Sequence, residues 1–303
     1  TNINYTYKML QNDVKGLKAR YPFLEVFTIG KSVLGRDLTG LRLGKGEKKV
    51  FYCAAHHSLE WITSAVLMKF AEEYCKAYAA DKMLSGYNIN NIFNEVSIYI
   101  VPMVNPDGIE LVLNGISPTN PNYKKLIKYN DGSADFSLNW QANNNGVDLN
   151  HNYGASFKEA AKSSAVLGIK SPGPTRYGGK YPLSEPETKS VVDYVTKEDF
   201  LLVLSYHSQG EVIFYNYLNI EVPHSTEIGE KLYDVSGYKL KRIDDEGQFA
   251  GFKDWFIKEF KRPGYTIEVG KGKNPLPIGQ FEQIYEDNLP LLLKAAESIV
   301  NLR

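Results

Sequence analysis

Apolar residues recur along this chain with two periods, and the periods alternate. Residues 5–21 carry Met9, Leu10, Val14 and Leu17 at helical intervals, which predicts an amphipathic helix. Residues 24–29 and 38–43 read as strands around the Gly-rich turn 30–37, and residues 50–55 (VFYCAA) read as a further buried strand. Residues 61–78 return to helical spacing through Trp61, Ala65, Met68, Ala71, Cys75 and Tyr78. Residues 96–104 (VSIYIVPMV) predict another buried strand. Asn105-Pro106-Asp107-Gly108 closes it as a turn, with Asn105 and Asp107 as turn formers, before a short apolar segment at 109–113.

Two long stretches, 114–146 and 154–184, are rich in Gly, Pro, Asn and Ser and read as irregular loops flanking a polar run, Gly146 to Tyr153. Ser184, Pro186 and Glu187 predict a helix start with Ser184 as N-cap and Glu187 closing a capping box. Strands follow at 200–206, 212–217 and 264–269, helices at 225–235 and 251–260, and a closing helix after Pro290. Strands alternating with helices, without repeat or linker, predict one α/β domain over residues 1–303.

Composition narrows the function. Thirty-five basic and thirty-five acidic residues cancel, so nothing points to nucleic acid or an anionic membrane surface. No apolar run is long enough to span a bilayer. Cys53 and Cys75 fall on a strand and a helix and read as buried free thiols. A start at Thr1, with no signal peptide ahead of it, reads as a processed or excised chain. Trp61, Trp140 and Trp255 read as core residues.

Chemistry collects at the strand ends. His57 and Glu60 follow the strand at 50–55, His207 follows the strand at 200–206, and Glu268 lies at the end of 264–269. Open α/β sheets place ligands at that edge. A lone H-x-x-E is a weak signal, and a strand ending on His207 is by itself more often a satisfied polar residue. A carboxylate such as Glu268 in an apolar strand end needs a cation, a donor or a raised pKa. One shared Zn²⁺ accounts for all four residues. His57, Glu60 and His207 would hold it with a position left open, and Glu268 would stand beside that position as general base for the attacking water. His56, lacking the spacing of His57, is expected to point away, and His224 reads as incidental.

The whole chain resembles the zinc carboxypeptidases, and within them the bacterial γ-D-glutamyl-L-diamino acid peptidases that cut peptidoglycan stem peptides. The resemblance rests on ordered blocks: IGKSVLGRDL (29–38), HSLEWIT (57–63), VPMVNPDG (101–108), GVDLN (146–150), PLSEPE (182–187), HSQGEVIFYNY (207–217), GFKDWFI (251–257) and YTIEVGKGKNPLP (265–277). It implies a mixed, twisted sheet with helices on both faces and one zinc per chain. It implies His57, Glu60 and His207 as ligands, Glu268 as the base, and Asp148 as acceptor of the second ring N–H of His57. It also implies a peptidoglycan-derived peptide as partner and an extracytoplasmic or cell-wall location in a bacterium.

The chain departs from the carboxypeptidase pattern in three places. Enzymes that trim free C-termini follow the Asn of GVDLN with Arg and clamp the terminal carboxylate with the pair; here the pair is Asn150-His151. Histidine lacks the two-pronged guanidinium, and the peptidoglycan-cutting subgroup also lacks that Arg. The Arg that helps polarise the scissile carbonyl is replaced by Gln141, with Lys124, Lys125 or Lys128 as possible substitutes. The loop at 244–250 lacks a substrate-contacting Tyr. The reading is therefore a zinc peptidase for γ-D-glutamyl-diaminopimelate bonds, with Asn150, His151 and Gln141 as substrate contacts. The alternatives are an ordinary metallocarboxypeptidase for L-peptides and a catalytically weak binding protein on the same scaffold.

Overall fold

The computed structural model describes residues 4–243, 249–300 and 302. Its strands are β1 (Glu25–Lys31), β2 (Asp37–Leu43), β3 (Lys48–Ala54), the short pair β4 (Met83–Leu84) and β5 (Tyr87–Asn88), β6 (Val96–Val101), β7 (Phe200–His207), β8 (Val212–Phe214), β9 (Lys239–Lys241) and β10 (Gly264–Glu268). All but the β4–β5 hairpin join one eight-stranded sheet in the order β1-β2-β6-β3-β7-β10-β8-β9. The central β6, β3, β7 and β10 run parallel, whereas β1–β2, β2–β6 and β10–β8 pair antiparallel. The sheet is mixed, as the resemblance implies.

Parallel strands buried on both faces need apolar residues at successive positions. In β3, Val50, Tyr52 and Ala54 enter one core and Phe51 and Cys53 the other. The helices are α1 (Tyr7–Arg20), α2 (Ile62–Ala79), α3 (Ile89–Glu95), α4 (Pro106–Asn114), α5 (Tyr123–Tyr129), α6 (Phe157–Val166), α7 (Pro186–Lys197), α8 (Ser225–Ser236), α9 (Phe252–Phe260) and α10 (Phe281–Ser298). Apolar residues of α1, α2, α8 and α10 join the first core, and those of α7 and α9 the second. Helices thus cover both faces. Trp61, Trp140 and Trp255 are buried, and Cys53 and Cys75 are buried free thiols.

Four local expectations are corrected. The stretches read as irregular contain α5 and α6, whose Lys-rich and Ala/Ser-rich sequences give each only a few buried side chains. The closing helix starts at Phe281 and runs through Pro290, which sits inside it. Asn105-Pro106-Asp107-Gly108 begins α4: the Asn105 side chain accepts from Gly108 N at 3.0 Å and Pro106 occupies the first turn. The capping box at Ser184 does not form. Glu185 holds the N-cap position of α7 without a side-chain bond, and Ser184 Oγ donates to Glu185 Oε1 at 2.9 Å.

Glu187 instead reaches across the fold. Its Oε1 accepts from Val33 N at 3.0 Å and its Oε2 from Asn143 Nδ2 at 3.2 Å, and Asn143 also donates to Glu185. Asp107 is buried nearby, paired with Arg36 and accepting from Leu34 N at 2.7 Å. This cluster ties the β1–β2 turn to the loop carrying Asn143 and to α7. Burial, with the Asp107 charge adding to it, pushes the Glu187 carboxyl up to about 8 against the donors Val33 and Asn143.

Between the ordinary value of 4.5 and about 8, the folded chain keeps a proton on Glu187 that the unfolded chain has released. Stability from this group is therefore full below pH 4.5 and falls as pH rises towards 8. Glu187→Gln keeps the shape and removes the titration. Urea unfolding at pH 5 and pH 8 should show the native chain losing more stability than the variant, by roughly 3 kcal/mol at about 1.4 kcal/mol per pH unit. Equal losses in the two proteins would remove the assignment.

Candidate metal centre

The three central strands β3, β7 and β10 end level with one another. Ala54 pairs with Tyr206, and His207 pairs with Glu268. The chain leaving β3 turns at once into a 3-10 turn, Ser58–Glu60, which folds Glu60 back beneath His57. Ser58 locks that turn by donating to the Trp140 and Ala142 carbonyls at 2.9 and 3.0 Å. Separate segments thereby deliver His57, Glu60 and His207 to one point, where their ligand atoms all lie within 4.8 Å of one another.

The contacts are specific. His57 Nδ1 donates to Glu60 Oε1 at 2.9 Å and His207 Nδ1 donates to Glu60 Oε2 at 3.0 Å. The opposite ring atoms are held from behind: His57 Nε2 meets Asp148 Oδ1 at 3.1 Å and His207 Nε2 meets Ser205 Oγ at 3.2 Å. Both imidazoles thus present Nδ1 inward. Burial would lower the His57 pKa, but the Glu60 and Asp148 carboxylates overcome it and hold the ring well above its usual value. Burial would raise Glu60, but His57 and His207 bring it down to about 2. Two imidazole nitrogens and a carboxylate, each oriented by an outer partner, form a donor set that suits Zn²⁺ with a position left open. A cation at this point takes the place of protons shared with Glu60, so its uptake releases protons and weakens as pH falls.

Asp148 lies at the start of the 3-10 turn Leu149–His151. Besides His57, it accepts from Asn150 N at 3.1 Å and Arg176 N at 2.8 Å. Burial would raise its pKa, yet His151 and His57 hold it well below the usual range. Glu268 has the opposite fate. It is half-buried, and burial together with the Glu60 charge lifts it to about 8, opposed by His57. It lines a cleft of about 580 Å³ with Leu59, Gln141, Thr175, Ser208 and Lys273.

Gln141 faces that cleft, and Thr175 Oγ1 donates to its Oε1 at 2.6 Å, leaving the amide N–H groups as donors. Lys124, Lys125 and Lys128, all on α5, are not among the residues lining it; Lys125 donates to Asn145 Oδ1 at 3.2 Å. Asn150 and His151 sit beyond Asp148, outside the lining of the cleft. Asn150 Oδ1 accepts from Phe252 N at 3.1 Å, and His151 Nδ1 lies 3.2 Å from Asp148 Oδ2. His56 meets Tyr153 Oη at 2.8 Å and is outside the metal group, and His224 is exposed beside Glu227. Most of the loop at 244–250 lies outside the described residues.

Sequence reasoning missed Ser205, Thr175 and Asn274. Asn274 Nδ2 donates to Glu60 Oε1 at 3.3 Å and to the Ser208 carbonyl at 2.7 Å. Its only signal was its place in the GKGKNPLP run after Glu268.

Comparison with known proteins places the chain in a class. A family model described as zinc carboxypeptidase matches residues 10–291. The chain belongs to the zinc carboxypeptidase family and is a zinc metallopeptidase. It is 41% identical over 292 residues to γ-D-glutamyl-L-diamino acid endopeptidase 1 of Lysinibacillus sphaericus, covering 96% of this chain and 72% of that protein. It is 29% identical over 272 residues to carboxypeptidase A1 of Bos taurus, covering 84% and 59%. The crystal structure of thrombin activatable fibrinolysis inhibitor superimposes with a TM-score of 0.75 at 19% identity, covering 100% of this chain and 76% of that one. The last likeness is one of fold. No helix among the described residues is long and apolar enough to cross a membrane.

Replacing His207 by Ala removes one donor from a set without redundancy. Zinc affinity measured by chelator competition should fall by at least about 100-fold, beyond the usual cost of losing an outer partner. Unchanged affinity would move the metal elsewhere.

Proposed function

We propose that this chain hydrolyses the bond between γ-D-glutamate and a diamino acid, diaminopimelate in the first instance, in peptidoglycan-derived peptides. The observation that carries this reading is the 41% identity, over 96% of the chain, to an enzyme named for that bond. His151 supports it, because it stands where carboxypeptidases that trim free C-termini place an Arg. One zinc per chain, held by His57, Glu60 and His207, would supply Lewis-acid polarisation of the scissile carbonyl and of the attacking water.

The chain's own groups do the rest. Glu268 takes the proton from the attacking water and hands it to the leaving nitrogen. Its raised proton affinity suits a group that must gain and then lose a proton. Gln141, its oxygen engaged by Thr175, donates an N–H to the oxygen on which charge develops. Asp148 fixes the His57 ring by accepting from Nε2. Asn150 and His151 meet the leaving diamino acid. His151 offers no bidentate clamp, so the next carboxyl can be free or already joined to a further residue.

Glu268→Gln preserves size and strand but removes the proton acceptor. Zinc content should stay near native while kcat falls by at least about 100-fold; an active Gln variant would place the base elsewhere. Substrate class is tested with kcat/KM on L-Ala-γ-D-Glu-diaminopimelate beside a plain peptide ending in an L-residue. The γ-linked peptide should be preferred. A tenfold preference for the plain peptide, about 1.4 kcal/mol, would instead make this an ordinary carboxypeptidase.

A further inference from the structure

The cleft beside Glu268 carries a charge that the mechanism above does not use. Among its described lining residues, Glu268 is the one acid and Lys273 the one cation. Leu59, Leu138, Val212 and Phe214 supply apolar wall, and Asn139 and Gln209 are neutral. Lys271, two residues earlier, is neutralised by Glu211 at 2.6 Å. Lys273 has no ion-pair or hydrogen-bond partner among the described residues.

Lys273 nevertheless stands on an anchored backbone. Its neighbour Asn274 donates to the Ser208 carbonyl at 2.7 Å and to Glu60 Oε1 at 3.3 Å, and accepts from Ser208 Oγ at 2.8 Å. The residue next to the lysine is thus tied to the metal-site carboxylate and to the end of β7. Only the flexible stem remains to be ordered, and its ammonium stays in reach of a molecule lying in the cleft.

The side of the substrate that lies there follows from the other contacts. Asn150 and His151, assigned to the leaving group, are not part of the cleft lining. The cleft is left for the acyl side of the scissile bond. A γ-linked glutamyl residue differs there from an α-linked residue with an uncharged side chain: it carries a free α-carboxylate, which branches from Cα with its carbon four bonds from the scissile carbonyl carbon. We propose that Lys273 binds this free α-carboxylate and makes the site select a γ-linked acyl residue. The proposal rests on the reading given under Proposed function.

The test compares two peptides that differ only at that group, on the zinc-loaded chain. One is L-Ala-γ-D-Glu-diaminopimelate; the other carries the α-carboxyl of the D-glutamyl residue as its amide. At low ionic strength the native chain should prefer the free acid by about fivefold, near the upper end for an exposed charge pair. The preference should shrink as salt is added. Lys273→Gln should lower kcat/KM on the acid by that factor and leave the amide peptide unchanged, and Lys273→Arg should keep the preference. Equal native turnover of the two peptides overturns the proposal. So does an equal loss on both in Lys273→Gln, which would make the lysine a partner of the carbonyl or a structural residue. Cleavage of a plain L-peptide with neither γ-linked peptide touched overturns the function reading and this proposal together. Cleavage of both γ-linked peptides without discrimination overturns only the role of Lys273.

Discussion

The site turns on one buried carboxylate. Glu60 is 2% exposed, and each of its oxygens faces an imidazole nitrogen. A carboxylate in such a place is tolerable only if cations or strong donors surround it. That requirement propagates outward through the fold. His57 is gripped between Glu60 and Asp148, so the loop bearing Asp148 must close over the sheet edge. Asn274 donates to the same carboxylate, so the segment after β10 must fold back as well. The segment after β3, the end of β7 and the segment after β10 therefore meet at Glu60, because each carries a partner for it.

The carboxylates of the centre diverge in charge state. Asp148 and Glu60 each face histidines and are held below their ordinary range. Glu268 is lifted to about 8 by burial and by the Glu60 charge, against the pull of His57. The neighbours separate the three groups, and the separation fits the division of labour proposed above, in which Asp148 and Glu60 orient and bind and Glu268 exchanges a proton. Glu187, remote from this centre, shows the same physics without the chemistry. It is buried among neutral donors and a second acid, so it keeps its proton to join α7 to the β1–β2 turn.

What the sequence made legible was local. The strands of the parallel core announce themselves because burial on both faces demands unbroken apolar runs, as in VFYCA and VSIYIV. The residues that carry chemistry were visible because polar side chains break off those runs at their ends, at His57, His207 and Glu268. The helices α5 and α6 were hidden because short helices with one or two buried positions leave no periodic stripe. Pro290 read as a helix start when it lies within α10. The Ser184–Glu187 box had the right spacing but lost to a distant partner, since Glu187 satisfies Val33 N, 154 positions away. Contacts such as Ser205 behind His207, Thr175 on Gln141 and Asn274 on Glu60 share this character: each depends on two segments meeting, and the side chain alone does not announce it.

In the function proposed above, Gln141 and His151 are where a shared metal scaffold would be turned to a different substrate. At both places a permanent guanidinium in the carboxypeptidases gives way to a group that is neutral or only conditionally charged. A fixed buried cation rewards one anion and penalises every substrate that lacks it, because an unpaired charge is left behind. Gln141 keeps its oxygen engaged by Thr175 and its N–H groups free to donate, and His151 stands beside Asp148; in the function proposed above these are the groups that would meet the developing oxyanion and the leaving chain. The cation of the cleft lies instead on Lys273, at its solvent-facing rim, where an unpaired ammonium costs little because water can solvate it. Charge has thus been withdrawn from positions where it would be obligatory and kept where it is optional.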